Sequence, residues 1–449
     1  MKNALAIVVE GVGTGLIGAY GSNTAATPAI DQLAAQGLVL DQCFLDSRQL
    51  STQLRSLWTG LHARQEATSE WSLWRAFEEN QRPAALYTDC PVAADIAQQL
   101  GCKQVTLISL EPVTEPVEDP AECSLMTVFA AAAEALAEGV DGLVWIHSRG
   151  LRLAWDAPLE LREKFLDPED PVPPAEVDAP GFEVDASVDP DWVIGWGQVA
   201  AAQTAVLDDA IAALYATVAT RPDAAQWSLL FASLGGVPLG EHGYVGWGKE
   251  QLHGEELGCA AIILPSEYEP VGQRRGELCQ LPDLAVTLMH CLDLEIPLLN
   301  RAWGRNMLRL AYSYNATAWD PLHQLAVLFT AEADGLGGQV WVRSPAWSAV
   351  FSASAGCDDR SRELRVGELG DSAGDLAEQR DWQADAVPQF VEQLYVKPDD
   401  RWEVSDIASR CPEVLQQLRN AVDSFEESLR KHEREHLAAL DEELCRTMR

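Results

Sequence analysis

The sequence predicts an α/β fold. A large mixed, mostly parallel sheet between helices is expected over residues 1–320, then a small antiparallel sheet with a closing helix over 321–449. Two observations carry this expectation. Apolar runs that end in Gly-rich loops alternate with helical segments through the first part of the chain, the pattern of a parallel sheet covered on both faces. From about residue 323 the texture changes to short alternating strands, followed by one long amphipathic stretch.

The elements follow in order. Residues 4–9 (ALAIVV) are a continuous apolar run before the Gly-rich EGVGTGLIGAYG, a buried strand that delivers a loop at its C-terminal end. TPAIDQLAAQG has Pro28 in the first turn, Ile30, Leu33 and Ala34 on one face and Gly37 at the stop, which marks a helix. RPAALYTDC, QVTLISL and DGLVWIHS are further strands, alternating with helices such as LMTVFAAAAEALAEG. Residues 167–191 are acidic, Pro-rich and aperiodic, and read as a long extended surface loop. A long helix over roughly 196–219 and the strands WSLLFAS and CAAIILP come next. HQLAVLFT, GQVWVRSP, WSAVFSA and RELRVGEL are the short strands of the second sheet.

The closing helix, from about residue 412, carries Leu415, Leu418, Val422, Phe425 and Leu429 at three- and four-residue steps, continued by His432, His436, Leu440 and Leu444. The ordinary reading is an amphipathic helix docked on the body. A helix–helix seam between two copies is the alternative, and it would make the chain a homo-oligomer. His432 and His436, one turn apart, could hold a metal, though no third ligand accompanies them.

Composition narrows the function classes. The formal net charge of −37 opposes nucleic acid and anionic membrane surfaces, since phosphate binding needs Lys and Arg. MKNALAIVVEG has an apolar run too short for an export signal and no small-residue cleavage site. No uninterrupted apolar stretch reaches about 18 residues, so no membrane span is expected. The ten cysteines are scattered without CxxC pairs, which fits neither a zinc ribbon nor a disulfide scaffold. A cytoplasmic protein with reduced thiols is the expectation.

Several stretches, in order, resemble one family. LAIVVEGVGTGLIGAYG with TPAIDQLAAQGLVLDQCF resembles the opening strand, metal loop and first helix of the sulfatases of the alkaline phosphatase superfamily. SLWTG resembles the helix after their nucleophile, and LGEHGYVGWGKEQLHGEEL the segment after their second metal motif. LPDLAVTLMHCLDLEIP, VWVRSPAWSAVF and LYVKPDDRWEVSDIASRCPEVLQQLR resemble the later helix, the small C-terminal sheet and the closing helix. The resemblance implies a sulfatase-like fold and a three-part site for sulfuric ester hydrolysis. Acidic residues with an Asn or His hold a divalent cation, usually calcium. A Cys in a C-x-P-x-R motif, matured to formylglycine, attacks sulfur. Arg, Lys and His hold the sulfate and protonate the leaving alcohol.

This sequence departs from that pattern at nearly every place. The family's Asp-Asp is Glu10-Gly11. Between the anchors Phe44 and LWTG, in the stretch DSRQLSTQLRSLWTG (46–60), the nucleophile position falls on Leu50 and the motif arginine on Leu54. A one-residue slip gives Ser51 and Arg55 instead, with Thr52 beside them. The family's Ser-Asp-His-Gly-Glu reads Ser233-Leu234-Gly235-Gly236-Val237. The substrate-facing His falls near Arg152 or Leu153. Lys249 matches the sulfate-binding lysine, and His242 is retained beside Glu241 in a Gly-rich turn, where a structural hydrogen bond is the ordinary reading. His147, at the end of an apolar strand, reads as a satisfied core histidine. Asp208 and Asp209 read as helix-surface or packing residues.

The expectation is therefore a sulfatase-like pseudoenzyme with no catalytic residue, metal or other cofactor. It would bind a protein partner or a small ligand, with Lys249 and His242 as the candidate contacts. The alternative is an active sulfate or phosphate ester hydrolase. Ser51 or Thr52 would be its nucleophile and Arg55 its arginine, with one divalent cation on Glu10 and a reassigned acid, Asp46 or Glu241.

Overall fold

The computed structural model describes residues 2–445 apart from 66–70, 165, 167–168, 250, 267–271, 295–301, 313–323, 331–337, 353–391 and 433–439. The stretch RELRVGEL and His436 lie outside the described residues.

The large sheet has nine strands: β1 (Asn3–Glu10), β2 (Leu38–Phe44), β3 (Ala84–Thr88), β4 (Gln104–Leu107), β5 (Leu143–Ser148), β7 (Trp227–Leu234), β9 (Gly258–Cys259), β10 (Ala261–Leu264) and β11 (Gln273–Gln280). A separate two-stranded ribbon pairs β6 (Gly181–Glu183) with β8 (Tyr244–Gly246). The order β11-β2-β10-β7-β1-β5-β3-β4 places β1 in the middle, parallel to both β5 and β7. Only β10 and β9 run antiparallel to their neighbours, so the sheet is mixed and mostly parallel, as the sequence predicts. All eight residues of β1 are buried, which is what a strand covered on both faces requires.

Helices cover the two faces. On one lie α2 (Leu50–Thr59), α3 (Leu73–Glu79), α4 (Pro91–Gln99) and α7 (Leu281–Cys291), around a core containing Trp58, Trp74 and Trp145. These three indoles meet edge-on at 5.3–6.0 Å, a geometry that adds about 0.5–1.5 kcal/mol per pair beyond area burial. On the other face lie α1 (Pro28–Gln36), α5 (Met126–Ala137) and α6 (Pro190–Ala219). Buried Asp208 of α6 accepts from the Ala29 and Ile30 amides at 2.9 Å each, so it caps α1 across the packing interface. Asp209 is exposed.

Helix α6 begins six residues before the expected start, at Pro190. Proline is tolerated at the first helical position, and the Asp189 carboxylate caps the turn through the Asp191 amide at 3.0 Å. The stretch read as an extended loop therefore also contains β6 and the first two residues of α6. By length and composition α6 could cross a bilayer; here most of its apolar surface is buried against the sheet and neighbouring helices.

The small sheet is antiparallel, β12 (Ala326–Phe329), β13 (Gln339–Arg343), β14 (Trp347–Ser352) and β15 (Gln393–Val396) in that order. One face joins the Trp58 core through Ala326, Leu328, Trp341 and Val350. The other packs on α8 (Pro412–Lys431), whose Leu415, Leu418, Val422, Phe425 and Leu429 are buried within this chain. The docked-helix reading matches this geometry. Helix α8 stops at Lys431, and His432 leaves it in the left-handed region at φ +55°, so His432 does not continue the helical stripe. Side chains join the two sheets: the Gln280 amide donates to the carbonyls of Leu45 (3.1 Å) and Val327 (3.0 Å) and accepts from the Val327 amide (3.2 Å), and Arg343 of β13 donates to Gln42 of β2 at 3.0 Å.

Candidate functional site

The C-terminal edge of an open parallel sheet is where α/β folds place ligands. Here β1 delivers Glu10 and Gly11 to that edge, between the ends of β7 on one side and β5 on the other.

At Gly11 and at the end of β7 the edge is packed shut. Gly11 has φ +78°, and a Cβ there would lie 2.6 Å from Cζ2 of Trp247. The indole thus occupies the volume that an acidic side chain at position 11 would need. It is held by the Arg152 guanidinium stacked 3.9 Å from its centroid, and by its own Nε1–H donating to the Leu151 carbonyl at 2.9 Å. Gly235 (φ +68°) is equally tight, since a Cβ there would sit 2.3 Å from the Glu256 carbonyl oxygen. Leu234 is buried in the apolar core.

The segment 46–60 belongs to this packed side. Leu50 is the first residue of α2 and lies half-buried against the core; Leu54 is fully buried beside Leu57 and Trp58. Ser51 and Thr52 are half-buried in the same turn. Arg55 donates to Gln99 at 3.0 Å, at the far end of α4 from the strand ends, which is no place for a substrate arginine. Asp46 is buried and accepts from the Ser56 hydroxyl (2.6 Å) and the Ala63 amide (2.9 Å), and burial pushes its carboxyl up to about 7. Sequence reasoning missed one pair. Arg48 meets Glu256 at 2.9 Å, both buried, and ties this segment to the chain following β8.

A calcium-type cation takes six to eight oxygens. At this end of β1 and β7 the family positions offer one carboxylate, Glu10, whose Oε2 is already 3.1 Å from Arg152 Nε. Gly11, Leu234 and Gly235 supply no side-chain oxygen. These residues do not fit the family's calcium. Among the described residues, neither Asp46 nor Glu241 joins Glu10 in a ligand cluster. Asp46 Oδ2 is engaged as above, and Glu241 accepts from the Leu239 amide at 2.6 Å, the structural role expected of it.

On the β5 side the picture differs. Glu10, His147 and Cys90 are all buried, with candidate ligand atoms within 4.8 Å of one another. His147 Nδ1 is 3.3 Å from the Thr88 hydroxyl. Among the described residues its Nε2 has no hydrogen-bond partner, and neither has Glu10 Oε1, 3.5 Å away. The reading of His147 as a satisfied core histidine is therefore corrected: three strand ends converge around one unsatisfied ring nitrogen. Burial raises the Glu10 carboxyl to about 7, against the pull of Arg152, and lowers His147 to about 3. Asp89 accepts from the Ser148 hydroxyl and the Arg149 amide, each at 2.9 Å.

The two remaining candidates lie elsewhere. Lys249 pairs with Glu183 of β6 at 3.0 Å, with both side chains largely exposed. His242 Nδ1 meets Glu255 at 2.5 Å, and its ring stacks on His253 at 3.5 Å and 2°. His253 in turn faces Glu403, which also pairs with Lys397 at 3.0 Å. This is an interlock between the large domain and the segment after β15. His432 Nδ1 lies 3.1 Å from the Gln65 amide nitrogen.

No protein-family model matches the chain. Arylsulfatase D of Homo sapiens is 37% identical over 100 residues, which cover 22% of this chain and 17% of that protein, so the match spans less than a fifth of that relative. Among solved structures, the phosphonate monoester hydrolase of Agrobacterium radiobacter superposes with a TM-score of 0.69 at 13% identity, covering 96% of each chain. The enzyme SpPMH of Silicibacter pomeroyi, also a phosphonate monoester hydrolase, gives 0.67 at 12% identity over 100% of this chain and 99% of that one. BT1596, a 2-O GAG sulfatase, gives 0.67 at 12%, covering 95% and 92%. Likeness at that identity establishes architecture, and it agrees end to end with the order of motifs in the sequence. The chain is thus sulfatase-like, built on the fold that sulfatases and phosphonate monoester hydrolases of the alkaline phosphatase superfamily share.

Proposed function

We propose that this protein is a sulfatase-like pseudoenzyme, which has given up ester hydrolysis and acts by binding. The observation that carries the reading is Trp247 seated against Gly11, where the family places a metal-binding carboxylate. Leu50 at the nucleophile position supports it, because a hydrocarbon has no lone pair with which to attack sulfur or phosphorus. The scaffold that would hold a transferred group is kept while its chemistry is replaced by packing. A protein partner with a basic surface suits a chain of net charge −37, and such binding would weaken as salt rises. A cytoplasmic setting fits the nine described cysteines, all free thiols.

The test is turnover of aryl sulfate, aryl phosphate and phosphonate monoester substrates by the purified chain with calcium, magnesium or manganese. The expected rate equals that of buffer alone for every substrate and ion. Turnover that disappears in Ser51→Ala or Thr52→Ala, with the circular dichroism unchanged, would instead establish the hydrolase alternative.

A further inference from the structure

We propose that Glu10, His147 and Cys90 form a binding site for a zinc-type transition ion, at the β5 edge of β1, with Glu10 as the one position shared with the family's calcium site. The ligands come from three adjacent parallel strands: Glu10 ends β1, His147 lies on β5, and Cys90 follows β3. His147 pairs in register with Val8 on β1, and Glu10 lies two residues further along the same face. All three side chains therefore reach the Trp58 side of the sheet.

The donors and their surroundings have the form of a metal site. An imidazole nitrogen, a thiol sulfur and one carboxylate oxygen suit zinc, whose bonds of about 2.0–2.3 Å put tetrahedral ligands about 3.4–3.6 Å apart. Glu10 Oε1 and His147 Nε2 already stand 3.5 Å apart, and neither has another hydrogen-bond partner among the described residues. Buried and unpaired, such atoms are costly, and one cation satisfies both. The outer contacts match as well. The Thr88 hydroxyl engages Nδ1 of His147, and Arg152 engages Oε2 of Glu10, leaving Nε2 and Oε1 to face the ion. Cys90 is the N-cap of α4; burial raises its thiol to about 11 against the pull of the first helical amides, so the ion itself must displace the thiol proton. Binding would release the thiol proton to solvent, and the thiolate and carboxylate together would balance the dication. Asp89 is offset by Arg149 at 3.6 Å.

This inference goes beyond the functional proposal and stands independently of it: an ion bound here without ester turnover leaves both intact. The experiment titrates chelator-treated protein with zinc, then cobalt(II) as a spectroscopic probe. The expected result is one ion per chain, with tetrahedral cobalt bands and a near-ultraviolet sulfur-to-cobalt transition. That transition should vanish in Cys90→Ser. Affinity should fall about tenfold or more in His147→Gln, and about 10–100-fold in Thr88→Val, which removes the hydroxyl that contacts His147 Nδ1 and accepts from the Cys90 amide at 3.0 Å. A wild-type chain that binds neither ion, or binds cobalt without the sulfur transition, overturns the proposal. So does binding that persists undiminished in both Cys90→Ser and His147→Gln. The wild-type spectrum decides even if a variant fails to fold.

Discussion

The two flanks of β1 make an informative contrast. Around Gly11 and the end of β7 the family positions for chemistry have become hydrocarbon or glycine: Trp247, resting on Leu151 and Arg152, stands against Gly11, while Leu50 and Leu234 pack into the apolar core. On the β5 flank polar and ionisable groups remain, and two of their atoms face each other without hydrogen bonds among the described residues. Removing ligands from a site leaves a cavity or unpaired charge unless neighbours close in, and the first flank shows closure carried through. Glu10 sits between the two. Its outer oxygen serves Arg152, which pins the indole, while its inner oxygen faces His147.

The largest expected effect probes the one weak point of the packed flank. Asp46 is buried with one oxygen unpartnered among the described residues, and burial raises its folded-state value to about 7, above the ordinary 3.8. The folded chain then keeps a proton that the unfolded chain releases. Stability from this group is complete below about pH 4 and is lost as pH rises to about 7, about 4 kcal/mol in all. Asp46→Asn should flatten that slope, seen by comparing urea midpoints of both proteins across the window; identical slopes would show that Asp46 is solvated.

Next is Gly11→Ala, which forces a methyl into the indole at a left-handed backbone position. It should cost roughly 2–4 kcal/mol, and measurably less in a Trp247→Ala background, because the two positions are coupled. Equal cost in both backgrounds would break the claim that Trp247 closes this flank. On the other flank, the double variant Glu10→Met/His147→Leu, measured in chelator, should be unchanged or more stable by about 1 kcal/mol, since removing two buried atoms without hydrogen bonds offsets the loss of the partly exposed Arg152 pair and the Thr88 contact. A loss beyond about 2 kcal/mol would mean that those groups are satisfied as they stand. Smallest is Lys249→Ala. Its ion pair is largely exposed, so thermal stability should move by about 0.5 kcal/mol or less.

Much of the fold was legible because its signals are local. Apolar runs ending in glycine gave the parallel strands, and Pro28 with Gly37 bounded α1. The order of degenerate motifs located the loops after β1 and β7. Pro190 misled because a proline inside an acidic run looks like loop, although at the first turn it starts a helix. The site was legible only as a set of replacements. What fills the space could not be read, since Trp247 meets Gly11, and Arg48 meets Glu256, through contacts between distant parts of the chain. The unsatisfied face of His147 was hidden for the same reason. One strand shows a histidine at its end, but not that a glutamate and a cysteine from two other strands arrive beside it.

Gln280 has a consequence for how the protein comes apart. Its amide is shared between the Leu45 carbonyl and both backbone groups of Val327, and Trp341 buries the adjoining face in the core of the large sheet. The small sheet therefore cannot open without uncovering that core and orphaning a buried amide. Its backbone amides should exchange with deuterium only when the whole molecule unfolds, making the C-terminal region part of one cooperative unit.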